Sequence, residues 1–415
     1  MVDNELIYLL LLIVVVYVIG KIFQLVKDVP DLYLNEQSII EPVRLENESS
    51  VYHSNKNFGL RSGLDIRYDS YKLRNGNLFD VWEIVLNNAR KNGDRGLTIN
   101  GKLVKFGELN SILQNIQLKE QTINLPLSSS VDLNWLVVLL YGFLNQIPVQ
   151  FSKSQSTRFE IPNYKNTLDF ENEYHPDKDK GIALRFSGDK VVEFTQLNII
   201  SAIASTIKHL PLTYNFKNKT MLLIPPKTGS NEEILNFIAK LLVGMIENCQ
   251  ITIGDKFSPD YDIISLHESQ LPYREPSFWQ APLLQLLKLG KYPYNNERLM
   301  YINNSISSKP IFSPSQLNKL RISYKCRIIK EFGYFNMVGP VILTDYFDYR
   351  EFSNLFGCIF QSIDIKLING YLSIRGYTIG KTTIDNKLES KDNNGFMPVD
   401  IKGKWGRDGC LYIQQ

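Results

Sequence analysis

Between residues 221 and 253 the chain alternates two hydrophobic periods, and this alternation narrows its fold more than any other feature. Met221-Leu-Leu-Ile-Pro-Pro226 is a short apolar run stopped by two prolines, Asn231 to Ile246 is amphipathic at helical spacing, and Gln250-Ile-Thr-Ile253 is again strand-like. Strand, helix and strand within about thirty residues form a βαβ rhythm, whose apolar faces are buried when helices cover a sheet. The chain is therefore expected to be an α/β protein.

The pattern extends upstream. Leu78, Val81, Trp82 and Val85 fall on one face of a helix running from Leu78 to Arg90. Asn100-Gly101 sits between alternating segments and marks a hairpin, because both residue types accept positive φ. The apolar run that starts at Leu133 is closed by Asn145-Gln146 well short of the ~20 residues a membrane span needs, so it reads as a buried core helix rather than a span.

With 44% hydrophobic and 12% aromatic residues over 415 positions, the chain can bury a large core in one multi-subdomain unit. Its 46 Lys and Arg against 43 Asp and Glu leave a net charge of +3, too near balance for a nucleic-acid partner. Cys249, Cys326, Cys358 and Cys410 show no CxxC spacing and fit reduced thiols rather than a disulfide framework or a zinc site. His53, His175, His209 and His267 are scattered, with neither metal-ligand spacing nor a paired nucleophile, so no catalytic or metal-binding residue is expected from them.

At the N-terminus, Leu6 to Val26 is about 21 residues long and apolar apart from Gly20, Lys21, Gln24 and the tyrosine hydroxyls, enough to cross a bilayer's hydrocarbon core. Asp3 and Glu5 stand where a signal peptide would have its basic start, and no small-residue cleavage pattern follows, so an uncleaved anchor is expected. Lys21 and Lys27 come after the acids and place the large domain in the cytosol by the positive-inside bias. The acceptor patterns Asn47-Glu-Ser, Asn218-Lys-Thr and Asn303-Asn-Ser are then expected to stay unglycosylated.

Four further segments carry a resemblance. Ser187-Gly188-Asp189-Lys190, followed by Thr195, Gln196 and Asn198, aligns with a loop that reads Ser-Gly-Thr-Thr-Gly-x-Pro-Lys-Gly and then His-x-Asn. Glu331-Phe-Gly-Tyr-Phe-Asn-Met-Val-Gly-Pro340 aligns with Tyr-Gly-x-Thr-Glu-x-x-Gly-Pro, Ile365 to Gly376 ends in a matching Ile-Arg-Gly, and Asn394 to Ile401 with Asp408 to Ile413 completes the series. In these motifs the chain resembles the adenylate-forming (AMP-binding) superfamily, most closely long-chain acyl-CoA synthetases, over residues 76 to 413. The resemblance implies a large α/β domain of two stacked mixed sheets flanked by helices, with a smaller β-rich subdomain, and the apolar run Leu6 to Val26 adds one transmembrane helix before it. Residues 1–27 would be the anchor, 28–75 a tether and lead-in, and 76–415 the large domain.

For chemistry the resemblance implies loss. A Gly-rich loop grips phosphate through converging backbone N–H groups, and only Asp189 stands between Gly188 and Lys190 where the family has five residues. Asp189 also brings a like charge towards a triphosphate, worth on the order of 1 kcal/mol at short range in solvent. Phe335 replaces the family's threonine and Asn336 its Mg²⁺-holding glutamate, a poorer ligand for a hard cation. The sequence given ends at Gln415, where active members continue into a C-terminal domain that carries the adenylation lysine, so that domain is expected to be absent. Ser187, Gly188, Lys190, Asn336 and Asp400 would form a vestigial nucleotide site, Asp400 at the ribose position, with no cofactor expected.

The resulting expectation is a membrane-anchored pseudoenzyme, held by Leu6 to Val26 in the endoplasmic reticulum and acting as a partner, scaffold or regulator in fatty-acid or lipid metabolism. Lipid-droplet, peroxisomal and outer mitochondrial membranes are the other locations. Two alternatives stay open. One is residual acyl-adenylating activity with ATP and Mg²⁺, helped by a protein partner such as an active acyl-CoA synthetase. The other is a module that binds fatty acid or acyl-CoA.

Overall fold

The computed structural model describes residues 8–18, 27–42, 44–56, 66–67, 73–74, 76–116, 122–127, 131–152, 157–160, 165–171, 177, 180–227, 229–385 and 387–413. Two sheets organise them. In the larger, Gln250–Ile253, Thr220–Leu223, Ile263–His267, Leu299–Ser305 and Arg327–Gly333 run parallel in that order, with Gly96–Ile99 parallel at the Gln250–Ile253 side. The expected βαβ unit is therefore the centre of the sheet. Helix Asn231–Ile246 starts at Ser230, whose side chain accepts from the Glu233 amide, and every residue from Glu233 to Ile246 is buried.

Beyond Arg327–Gly333 the sheet turns antiparallel through Pro340–Leu343, Leu355–Ile359, Leu411–Ile413, Met397–Trp405, Tyr371–Gly376 and Ile363–Ile368. The β-rich part is thus continuous with the main sheet, which reaches fifteen strands. Tyr52–Ser54 and Ser38–Ile40 add its last two strands, Tyr52 opposite Ile365 and His53 opposite Asp364.

The second sheet orders Lys387–Leu388, Lys381–Ile384, Lys190–Thr195, Ile182–Phe186, Val149–Ser152 and Ile123–Pro126. Helices fill the space between the sheets. Leu78–Asn92 packs against both Asn231–Ile246, which covers the first sheet, and Leu133–Asn145, which covers the second. Its N-terminus is a capping box: Asn77 accepts from the Phe79 amide and Asp80 accepts from the Asn77 amide. Leu133–Asn145 is buried from Trp135 to Leu144, the core helix its length implied. Asn100 and Gly101 form the hairpin turn with φ of 51° and 79°.

Of the expected membrane anchor, residues 1–7 and 19–26 lie outside the described residues. Residues 8–18 are helical, and their side chains are 42–73% exposed. Among the described residues no helix is long and apolar enough to cross a membrane.

Candidate functional site

The candidate site lies at the carboxyl ends of the parallel strands, where Arg327–Gly333 hands over to Tyr334-Phe335-Asn336. That strand is braced on both faces. Alternation sends Lys330 and Glu331 to opposite sides, where Lys330 pairs with Glu268 at 2.6 Å and Glu331 with Lys240 at 2.5 Å, all four buried. Asn236 also donates to Glu331 at 3.0 Å. Burial holds both lysines below their usual pKa, against the opposing pull of their carboxylate partners.

The phosphate-loop counterpart is a short turn. Ile182–Phe186 and Lys190–Thr195 pair antiparallel, with Phe186 opposite Val192, and Ser187-Gly188-Asp189 joins them. The Ser187 amide donates to the Phe151 carbonyl at 3.3 Å. A Cβ on Gly188 would meet nothing nearer than the Lys190 carbonyl at 4.0 Å, and its φ is not in the left-handed region. Glycine is required there neither for close approach nor for conformation, unlike a glycine that lets backbone close on phosphate.

Lys190 places its ammonium 4.8 Å from the centroid of the Phe335 ring, a cation–π contact. Phe335 in turn meets Tyr334 edge-on at 4.7 Å. Asn336 is fully buried; its Nδ2 donates to Thr382 Oγ1 at 3.0 Å and contacts Met397 Sδ at 3.1 Å, while its Oδ1 is buried without a partner. The side chain ties three segments together. Asp400, three residues beyond Met397, is exposed and lines a surface hollow of about 590 Å³ with Ser307, Lys309, Tyr371 and Lys402. Structure thus brings Lys190, Phe335, Asn336 and the Met397–Asp400 strand together, with Ser187 and Gly188 on the adjoining turn.

Gln196, at the family's histidine position, faces the core. Its Oε1 accepts from the Leu78 amide at 2.8 Å and its Nε2 donates to the Phe143 carbonyl at 3.4 Å, so it links three helices. Thr195 and Asn198 cap the helix Gln196–His209, and Asn198 also donates to the Tyr377 carbonyl at 2.6 Å.

One group escaped sequence reasoning. Glu232, in the first turn of Asn231–Ile246, lies beside the strand ends: a Cβ on Gly333 would come within 3.2 Å of its own Cβ. Burial lifts its pKa above the carboxylate norm, only partly offset by its own backbone and by a hydrogen bond from Ser305. Ser230 caps this helix, but the residue beside Glu232 comes from a strand end a hundred residues later. Tyr334 is pushed up to about 12, first by burial and then by the charges of Glu389, Asp400 and Glu232.

These residues do not fit a magnesium triphosphate. The turn between the two strands is three residues long, and the lysine rests on an aromatic ring. At Asn336 an amide stands where a hard cation would want carboxylate oxygen.

No family model matches the chain. Along its sequence it is similar to the Saccharomyces cerevisiae protein YHR045W, 22% identical over 93% of this chain and 94% of that one. Among solved structures it is similar to Bacillus subtilis o-succinylbenzoate coenzyme A synthetase (MenE) in complex with ATP and magnesium ion, with TM-score 0.56, 13% identity and coverage of 80% and 78%. It is also similar to the N-terminal domain of FACL13 from Mycobacterium tuberculosis, with TM-score 0.55, 9% identity and coverage of 81% and 99%. The luciferase-like enzyme from the mealworm Zophobas morio gives TM-score 0.55, 10% identity and coverage of 86% and 98%. At such identities the likeness speaks to architecture, and it is the α/β fold of adenylate-forming enzymes that this chain adopts.

Proposed function

We propose that this chain is a membrane-anchored pseudoenzyme built on the acyl-CoA synthetase fold, acting as a scaffold or regulatory partner in fatty-acid or lipid metabolism. One observation carries the reading. Where a triphosphate would need convergent donors, only Ser187-Gly188-Asp189 joins the two strands and the Lys190 ammonium sits on Phe335. Around that site the framework is intact, with two sheets, a filled helical layer and paired charges bracing the strand.

The anchor is the apolar run Leu6 to Val26, within which residues 8–18 form a helix with outward apolar side chains. Its charge flanks favour a cytosolic domain, with the endoplasmic reticulum as the proposed membrane. The proposed partner is an active enzyme of lipid metabolism such as an acyl-CoA synthetase.

Calorimetric titration of the full chain with ATP·Mg²⁺ tests the non-catalytic part. No binding heat and no acyl-AMP from a range of fatty acids are expected, alone or with candidate partners. Micromolar binding would overturn it. Crosslinking in native membranes tests the scaffold role, which requires a reproducible protein partner.

A further inference from the structure

Asp28 fixes where the large domain sits relative to the apolar N-terminal run. Its amide donates to the Gly290 carbonyl at 2.9 Å, and its Oδ2 accepts from the Tyr292 amide at 3.0 Å, from Arg327 at 3.0 Å and from the Tyr349 hydroxyl at 2.9 Å. Lys291 lies 3.1 Å from its Oδ1. The apolar run ends at Val26, and two residues of extended chain reach at most about 7 Å. If Leu6 to Val26 occupies a bilayer, the 288–292 turn must lie at headgroup level.

The surface beside that turn is built for such a place. Leu283, Leu284 and Leu287 of the short helix Leu283–Lys288 pack inward on Tyr292, Ile322 and Tyr349. Just before it, Phe278 and Trp279 are 82% and 85% exposed and meet edge to face at 5.4 Å. Among the described large apolar residues only Leu212 is more exposed. Lys288 and Lys291 add partly exposed cations. Solvent-facing aromatic rings beside lysines match the amphipathic chemistry of a membrane interface.

We propose that the 277–292 segment is a second membrane contact: Phe278 and Trp279 enter the headgroup region and Lys288 and Lys291 face anionic lipid. The inference rests on the membrane-anchor reading above. Arg327, bound to Asp28, opens its strand and Gly333 closes it about 20 Å further along, which separates the Tyr334–Asn336 site from the Asp28 turn along the strand.

The test uses the full chain in phosphatidylcholine vesicles containing phosphatidylserine, with an environment-sensitive thiol dye at W279C or, as the control, at I311C in the connection that follows strand Leu299–Ser305. Both positions are exposed and the four native cysteines are buried, so labelling is selective. The expected result is co-flotation with the vesicles, with a blue-shifted emission at 279 that brominated lipid quenches and no such change at 311. Co-flotation with position 279 behaving like 311 would overturn the second contact while leaving the anchor. Failure to float would remove the anchor and the contact together.

Discussion

Lys240 Nζ and Glu331 Oε1 stand 2.5 Å apart with side-chain exposures of 0% and 1%, beneath the strand that delivers Tyr334 to Asn336. The lysine also lies 4.1 Å from the centroid of Tyr301. Such a pair contributes little net stability, but each member prevents the other from being a lone charge in a low dielectric.

Removing one partner should therefore be far worse than removing both. K240M is expected to destabilise by about 3–5 kcal/mol, and K240M/E331M to recover a large part of that loss. Urea denaturation of the two variants checks this. Equal losses in both would show that the packing, not the charge, matters there.

His209 gives the fold an acid-sensitive element. It is fully buried beside Lys56, its Nε2 is 3.3 Å from the Thr344 carbonyl oxygen and its Nδ1 has no partner; burial first, then Lys56, push its pKa down to about 4. The unfolded chain, with a value near 6.5, binds the proton more readily between those values. Stability should thus fall as pH drops from about 6.5 to 4, by up to ~3 kcal/mol from this residue. Denaturation midpoints of wild type and H209N, compared across that range, should diverge with pH; a constant difference would contradict it.

Restoring the family's glutamate should not restore chemistry. Asn336 is 0% exposed, and its neighbours offer one hydroxyl and a thioether. N336E is expected to cost about 2 kcal/mol or more, because it buries a carboxylate short of donors, with no gain in acyl-AMP formation. Melting temperature and a product assay on the same sample decide it.

Gln196 should behave as a structural link. Q196A strands the buried Leu78 amide and is expected to lower stability by about 1–3 kcal/mol. ATP titration of the variant should match wild type, since the side chain faces helices and not the loop.

Glycosylation reports topology, and the three acceptor patterns are unequal as reporters. Asn303 lies in an inner strand of the parallel sheet, between Ile263–His267 and Arg327–Gly333, and is only partly exposed, which makes it the poorest reporter of the three. Asn47 and Asn218 are exposed. With the domain in the cytosol, endoglycosidase should leave the mobility of the native protein unchanged; a shift that N47Q or N218Q abolishes would place the domain in a lumen.

Periodicity and turn chemistry are local, so the sequence by itself determined the βαβ centre at Met221–Ile253, the Asn100-Gly101 hairpin and the core character of Leu133–Asn145. The shortening at Ser187-Gly188-Asp189 was legible only through the resemblance to the longer family loop, and the structure has a three-residue turn there. Tertiary structure alone decided which groups face one another. Lys190 meets Phe335 across 145 positions, Gln196 turns into the core to hold Leu78, Glu232 reaches Gly333, and Asp28 locks onto Gly290 and Arg327. Those pairings depend on how strands are ordered in two sheets, and burial then sets the charge each group carries, which no linear spacing encodes.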